Sequence, residues 1–67
     1  MYVEEKNINL LAKKEKVVYS TLNLEPKYVQ QIVEETGMSY GEVVSILLEL
    51  ELKGLIYQYS AGYYGIM

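Results

Sequence analysis

The stretch SYGEVVSILLELELKGLI, residues Ser39–Ile56, decides the fold. Ser39 and Glu42 can form a capping box, in which each side chain accepts a hydrogen bond from the other residue's backbone N–H. Gly54 comes after the last turn, where a residue without a Cβ can end a helix in the left-handed conformation. Apolar residues recur on one helical stripe, at Val43, Leu47 and Leu50. The stretch predicts a capped helix of about 14 residues that leads directly into a strand.

The segment VQQIVEETGM, Val29–Met38, precedes this helix and predicts a second one, from about Val29 to Thr36. Its inward face is apolar and consists of Val29, Ile32 and Val33. Gly37 stands where a tight turn between two helices favours glycine. The two helices together have the spacing of a helix-turn-helix.

A β-hairpin is predicted after the third helix, with Leu55–Ser60 and Tyr63–Ile66 as strands and Ala61-Gly62 as the turn. In the first strand, Tyr57 and Tyr59 are expected on one face, and cross-strand tyrosine pairs are expected to stabilise the hairpin. The fold class that we predict is mainly α with a small β-hairpin. It is a winged helix-turn-helix of three helices and a two- or three-stranded wing.

The first helix is predicted over Leu10–Leu22, with an apolar side formed by Leu11, Val17, Val18 and Leu22. Pro26 prevents helical continuation. Tyr28 and Val29 then either form a very short strand or begin the second helix. Residues 1–9 are expected to be a flexible tail or the end of a linker, and residues 10–67 the winged-helix domain.

The composition argues against an enzyme. The 67 residues contain no His, Cys, Asp, Arg or Trp, which removes the usual general base, thiol nucleophile and metal ligands. We therefore expect no catalytic residue, no cofactor and no metal site. No apolar run is long enough to span a bilayer, so a soluble, cytoplasmic domain is expected. The chain is expected to be a fragment of a longer protein.

The helix-turn-helix spacing favours DNA binding, whereas the net charge of the chain argues against it. Nine glutamates and six lysines give a net charge of −3, whereas duplex binding depends largely on neutralising phosphates. A base-reading helix presents Arg, Lys, Asn or Gln outward. The outward side of the third helix instead carries an apolar stripe at i, i+4 and i+8, formed by Val44, Leu48 and Leu52. This stripe either packs against the first helix or the N-terminal segment, or forms a protein-docking face.

A nucleic-acid surface is the rival interpretation. Its candidate phosphate contacts are the lysines Lys13, Lys14, Lys16, Lys27 and Lys53. Two wing tyrosines, Tyr57 and Tyr63, would stack on unpaired bases. For each group an ordinary role is also open, since lysine runs usually form solvated helix faces and cross-strand tyrosines usually stabilise hairpins.

The run ILLELELKGLI, Ile46–Ile56, preceded by LEPKYVQQIVEETGMSYGEV, resembles the C-terminal winged-helix domain of the DprA (Smf) family of DNA-processing proteins. The resemblance covers about Lys14–Tyr64. It implies a full-length protein that binds incoming single-stranded DNA and helps to load the RecA recombinase in natural transformation. That activity belongs to a Rossmann-like domain, which would be a partner of this one within the same protein.

The resemblance also implies a fold similar to that of Z-DNA-binding winged helices. The basic and polar positions that those readers use on their third helix correspond here to Val44, Leu48 and Glu51. We therefore expect an accessory module that acts mainly through protein–protein contacts, with a homodimer or another protein as possible partner. The alternatives are a weak nucleic-acid-binding winged helix and a stand-alone transcriptional regulator.

Overall fold

The computed structural model describes residues 11–67, which form three helices and a three-stranded antiparallel sheet. The helices are α1 (Lys13–Ser20), α2 (Val29–Thr36) and α3 (Tyr40–Leu52); the strands are β1 (Lys27–Tyr28), β2 (Ile56–Ser60) and β3 (Tyr63–Ile66). This arrangement confirms the predicted winged helix-turn-helix. The predicted tail, residues 1–9, lies outside the described residues. No helix in the described part of the chain is long and apolar enough to cross a membrane.

Helix α3 begins at the predicted cap. The Ser39 hydroxyl accepts a hydrogen bond from the Glu42 backbone N–H at 3.2 Å, which satisfies one of the free N–H groups of the first turn. The other half of the predicted capping box is replaced by a longer-range contact. The Glu42 carboxylate accepts from Lys14 Nζ, 2.5 Å away on α1, so this side chain links two helices.

A Schellman motif joins α3 to the sheet. Gly54 adopts a φ of 78°, and its N–H donates to the Glu51 carbonyl at 3.0 Å. The Leu55 N–H donates to the Leu50 carbonyl at 3.1 Å, and both leucine side chains are buried. These are the two hydrogen bonds and the apolar contact that define the motif. The direction in which β2 leaves the helix is therefore fixed within two residues.

The turn between α2 and α3 depends on Gly37, which has a φ of 75°. Its N–H donates to the Val33 carbonyl at 2.9 Å, and the Thr36 hydroxyl accepts from the Met38 N–H at 3.2 Å. Glycine adopts this left-handed conformation without the steric cost that a Cβ imposes. The predicted helix-turn-helix is therefore formed by a turn of three residues.

Helix α1 is shorter than the predicted Leu10–Leu22. The hydroxyls of Ser20 and Thr21 donate to carbonyls of the last turn, where such bonds compete with helix continuation. The predicted inward position of Val17 is wrong, since this side chain is 41% exposed. Leu22 is buried although it lies beyond the helix, because tertiary packing covers it.

In residues 11–67 the core is formed by eleven buried apolar side chains, which lie on the three helices, in the segments next to them and at the start of β2. They are Leu11, Val18, Leu22, Val29, Ile32, Val43, Ile46, Leu47, Leu50, Leu55 and Ile56. Helix α3 supplies four of them from one side, and its predicted core positions are confirmed. The opposite side of α3 is thus left for other contacts.

The sheet has the order β1-β3-β2, so β3 is the central strand. Both alternatives considered for Tyr28 and Val29 hold at once, since Tyr28 ends β1 and Val29 begins α2. The pairing of β2 with β3 is irregular between Gln58 and Ser60. This irregularity shifts the register of the hairpin next to its turn.

The register changes which tyrosines face each other. Across β2 and β3, Tyr57 lies opposite Gly65, so the predicted tyrosine pairs within the hairpin are not formed. The aromatic pair instead joins β1 to β3, where the rings of Tyr28 and Tyr63 lie 5.0 Å apart at an angle of 52°. A tilted pair at this distance is favourable for two aromatic rings.

Candidate functional site

The predicted stripe on α3 forms an exposed apolar surface. Val44, Leu48 and Leu52 are 36%, 56% and 77% exposed, and we call these three residues the outer face of α3. Their spacing of four residues places them on one side of the helix, opposite the buried positions. Glu49 and Glu51 flank them. In a DNA-binding winged helix this is the side that enters the major groove.

Helix α1 does not pack on the outer face of α3. Two salt bridges show which side of α3 it contacts. Lys14 Nζ lies 2.5 Å from the Glu42 carboxylate, and Lys53 Nζ lies 2.9 Å from the Glu15 carboxylate. Glu42 and Lys53 are about three helical turns apart and so share one side of the α3 axis, away from the outer face. The interpretation in which the stripe packs against the first helix is therefore wrong. Packing against residues 1–9 lies outside the described residues.

Three of the five candidate lysines are engaged in salt bridges within the domain. Lys27 donates to the Glu35 carboxylate at 2.7 Å and to the Thr21 carbonyl, and only 12% of its side chain is exposed. Lys14 and Lys53 are paired as described above. A phosphate would have to compete with a carboxylate at each of these positions. The remaining two, Lys13 and Lys16, are exposed on α1.

The Lys53–Glu15 pair affects the ionisation of its carboxylate. The hydrogen bond from Lys53 lowers the pKa of Glu15, and the hydrogen bond from the Ala12 backbone N–H, 3.0 Å long, lowers it further. The folded state thus favours the ionised carboxylate. This contribution to stability is present above the ordinary pKa of glutamate, and it is lost as the pH falls through the lowered pKa of the folded state.

We expect Glu15→Gln to lower the free energy of unfolding at pH 7 by about 1 kcal/mol or less, the usual range for a surface pair. The variant should also lose part of the acid dependence of stability, because residue 15 no longer titrates. Urea unfolding between neutral and acid pH measures both effects. The control is Glu34→Gln, since Glu34 forms no salt bridge among residues 11–67. Equal pH profiles for the two variants would contradict this account.

The wing tyrosines line a cavity of about 380 Å³. We call it the tyrosine cavity; its lining residues are Pro26, Tyr57, Tyr59, Ser60 and Tyr63. Both tyrosines predicted to stack on bases therefore belong to one site. Tyr59, Pro26 and Ser60 are lining residues that the candidate set did not include. The alternation of Tyr57 and Tyr59 along β2 is the sequence signal that could have identified Tyr59.

Two walls of the tyrosine cavity are held in place by their neighbours. Tyr63 packs against Tyr28, as described above. The Tyr57 ring lies over Gly65, where an added Cβ would be 3.2 Å from Tyr57 Cε1 and 3.3 Å from the Asn23 carbonyl oxygen. An added Cβ would thus press on the Tyr57 ring and on the Asn23 backbone, so the glycine allows the ring to lie close to β3. Tyr59, by contrast, is 69% exposed.

The candidate lysines do not join the candidate tyrosines in the lining of the tyrosine cavity. No lysine of residues 11–67 lines the tyrosine cavity. Lys27 follows the lining residue Pro26 in sequence, but its ammonium group is bound to Glu35 and Thr21. A stacking platform for single strands normally combines aromatic rings with a basic groove. In the part of the chain that the structure describes, the cavity provides the rings without lysines in its lining.

Comparison with models of known protein families agrees with the fold. A family model described as "DprA winged helix domain" matches residues 5–62, most of the chain. No curated protein and no solved structure matches the sequence. The match covers the three helices, β1 and β2, and therefore the outer face of α3 and most of the tyrosine cavity. The chain belongs to the DprA winged helix domain family.

Proposed function

We propose that this domain is a non-catalytic accessory module of a DprA-like DNA-processing protein and that it acts mainly through protein contacts. The observation that carries the proposal is the outer face of α3. Three aliphatic side chains are exposed side by side at the position where a DNA reader carries polar and basic groups. Contiguous exposed apolar patches that are rimmed by polar residues commonly mark protein-interaction sites.

The partner that we propose is a protein surface with an apolar groove and a basic rim, because Glu49 and Glu51 flank the outer face of α3. The Rossmann-like domain of the same full-length protein is the first candidate. Two domains on one chain meet at a high effective concentration, so even a weak contact between them is populated. A second copy of this domain is the other candidate. The cellular role would be handling of incoming single-stranded DNA in the cytoplasm during natural transformation.

The double variant Val44→Lys, Leu48→Lys tests the proposal. Two charges placed in an apolar contact would be desolvated without a partner, so we expect binding to weaken at least tenfold. Sedimentation equilibrium of the 67-residue chain measures self-association. Calorimetric titration with the separate Rossmann-like domain measures the contact within the protein.

The matched control is Gln30→Lys, Gln58→Lys, which adds the same charge at two exposed polar positions on α2 and β2. This control should bind as the unchanged chain does. If the outer-face variant and the control behave alike in both assays, the docking proposal is wrong. Affinity for short duplexes that falls steeply with added salt would instead identify a nucleic-acid module.

A further inference from the structure

We propose that the tyrosine cavity binds the side chain of an arginine from a partner protein. The site is separate from the outer face of α3, so it goes beyond the function proposed above and can fail independently of it. Its volume of about 380 Å³ falls in the range of roughly 300–1,000 Å³ that is typical of ligand pockets. Its lining residues then decide which ligand fits.

The lining chemistry favours a planar organic cation. The faces of Tyr57, Tyr59 and Tyr63 carry the negative part of the ring quadrupole, which attracts a cation lying above them. A guanidinium group is flat and weakly hydrated, and it stacks on aromatic faces better than an ammonium does. Its N–H donors can also form hydrogen bonds with a hydroxyl acceptor, and Ser60 supplies one in the lining.

The charge around the cavity favours a cation over an anion. Salt bridges pair three of the five lysines and three of the seven glutamates in residues 11–67. The lysines outside these pairs, Lys13 and Lys16, lie on α1, which does not line the cavity. Glu25 precedes the lining residue Pro26. A phosphate-bearing ligand would therefore meet no lysine of residues 11–67 in the lining, whereas the net negative charge of the chain attracts a cation.

Two of the three tyrosine rings of the cavity are already held in place before a ligand binds. Tyr63 is held by Tyr28 at a centroid distance of 5.0 Å, and Tyr57 is held across Gly65. Only Tyr59 is mostly exposed and has to be ordered when a ligand enters. Binding therefore has to order one ring instead of three. The smaller loss of conformational entropy raises the affinity, even for a small ligand.

The experiment is a titration of the isotope-labelled 67-residue chain with the capped peptide Gly-Arg-Gly, followed by amide chemical shifts. A second titration uses the same peptide with citrulline, which has the shape of arginine but no charge. We expect the arginine peptide to shift the amides of Ser60, Gly62 and Tyr63 and the citrulline peptide to bind more weakly. Equal binding of the two peptides overturns the proposal.

Substitutions of single tyrosines test whether the arginine peptide binds in the tyrosine cavity. Tyr59→Leu removes one ring and should weaken arginine binding about two- to fivefold, the effect of losing one exposed cation–π contact. Tyr59→Phe keeps the ring face and should bind nearly as the unchanged chain does. The matched control is Tyr40→Leu, because Tyr40 is 58% exposed on α3 and does not line the cavity. If Tyr40→Leu weakens binding as much as Tyr59→Leu does, the assignment is wrong.

A third titration, with oligothymidine at low salt, separates the arginine proposal from base stacking. Shifts at the same amides with oligothymidine, and none with the arginine peptide, would overturn the proposal in favour of an unpaired base as the ligand. Shifts with the arginine peptide alone support it.

Discussion

Leu50→Ala is expected to leave a large fraction of the domain unfolded at 25 °C. Leu50 is fully buried, and removing a buried leucine side chain costs about 2–5 kcal/mol because a cavity remains. A core in a chain of this size supplies only about 3–5 kcal/mol of net stability. The loss therefore approaches the whole stability of the fold.

The position of Leu50 enlarges this effect. Its carbonyl accepts the Leu55 N–H at 3.1 Å, and its side chain packs in the same core as Leu55. A cavity here lies at the joint between α3 and β2, in the core that both elements share. The loss of both helix and sheet should therefore occur in one transition.

Urea unfolding followed by circular dichroism measures the change, with Leu52→Ala as the matched control. Leu52 lies two residues further along the same helix but is 77% exposed. The control removes the same atoms without creating a cavity, so its free energy of unfolding should change by about 0.5 kcal/mol at most. Similar losses in the two variants would mean that Leu50 is not buried as described.

Gly62→Ala is expected to destabilise the wing by about 1–3 kcal/mol, from two separate costs. Gly62 has a φ of 84°, where an L side chain is strained. An added Cβ would also lie 2.8 Å from Tyr28 Cε1, so the Tyr28 ring would have to move away from Tyr63. The variant thus weakens the turn and the only aromatic pair described between β1 and β3.

The control for this prediction is Gly41→Ala, for which we expect the opposite sign. Gly41 lies in the first turn of α3, its φ is not positive, and an added Cβ would meet nothing within 4 Å. Alanine should therefore stabilise the domain by up to about 1 kcal/mol through its helix propensity. Urea unfolding of both variants measures the difference. Stabilisation by Gly62→Ala would contradict the strained turn.

The elements that could be predicted from the sequence are those fixed by neighbouring residues. Ser39 and Gly54 set the bounds of α3, and Gly37 sets the turn before it, because caps and left-handed turns depend on local backbone chemistry. The spacing of the apolar residues in α3 also depends only on local sequence. It predicted which of them lie in the core and which lie on the outer face.

The features that could not be predicted depend on residues far apart in the chain. The salt bridges of α1 with α3 join residues 28 and 38 positions apart, and the periodicity of either helix says nothing about them. The register shift near Ser60 moved the aromatic pair from the hairpin to Tyr28 and Tyr63. Such irregularities are set by packing and turn geometry. The tyrosine cavity follows from that register, and so its full lining could not be derived beforehand.

The central position of β3 has a consequence for synthesis on the ribosome. Strand β3 is hydrogen-bonded to β1 on one side and to β2 on the other, although it is the last of the three to be translated. The three helices can begin to collapse while the chain is still growing, at a translation rate of about 5–20 residues per second. The sheet cannot form before Ile66 has left the exit tunnel. A nascent chain stalled before Tyr63 is therefore expected to expose β1 and β2 to protease, however complete its helices are.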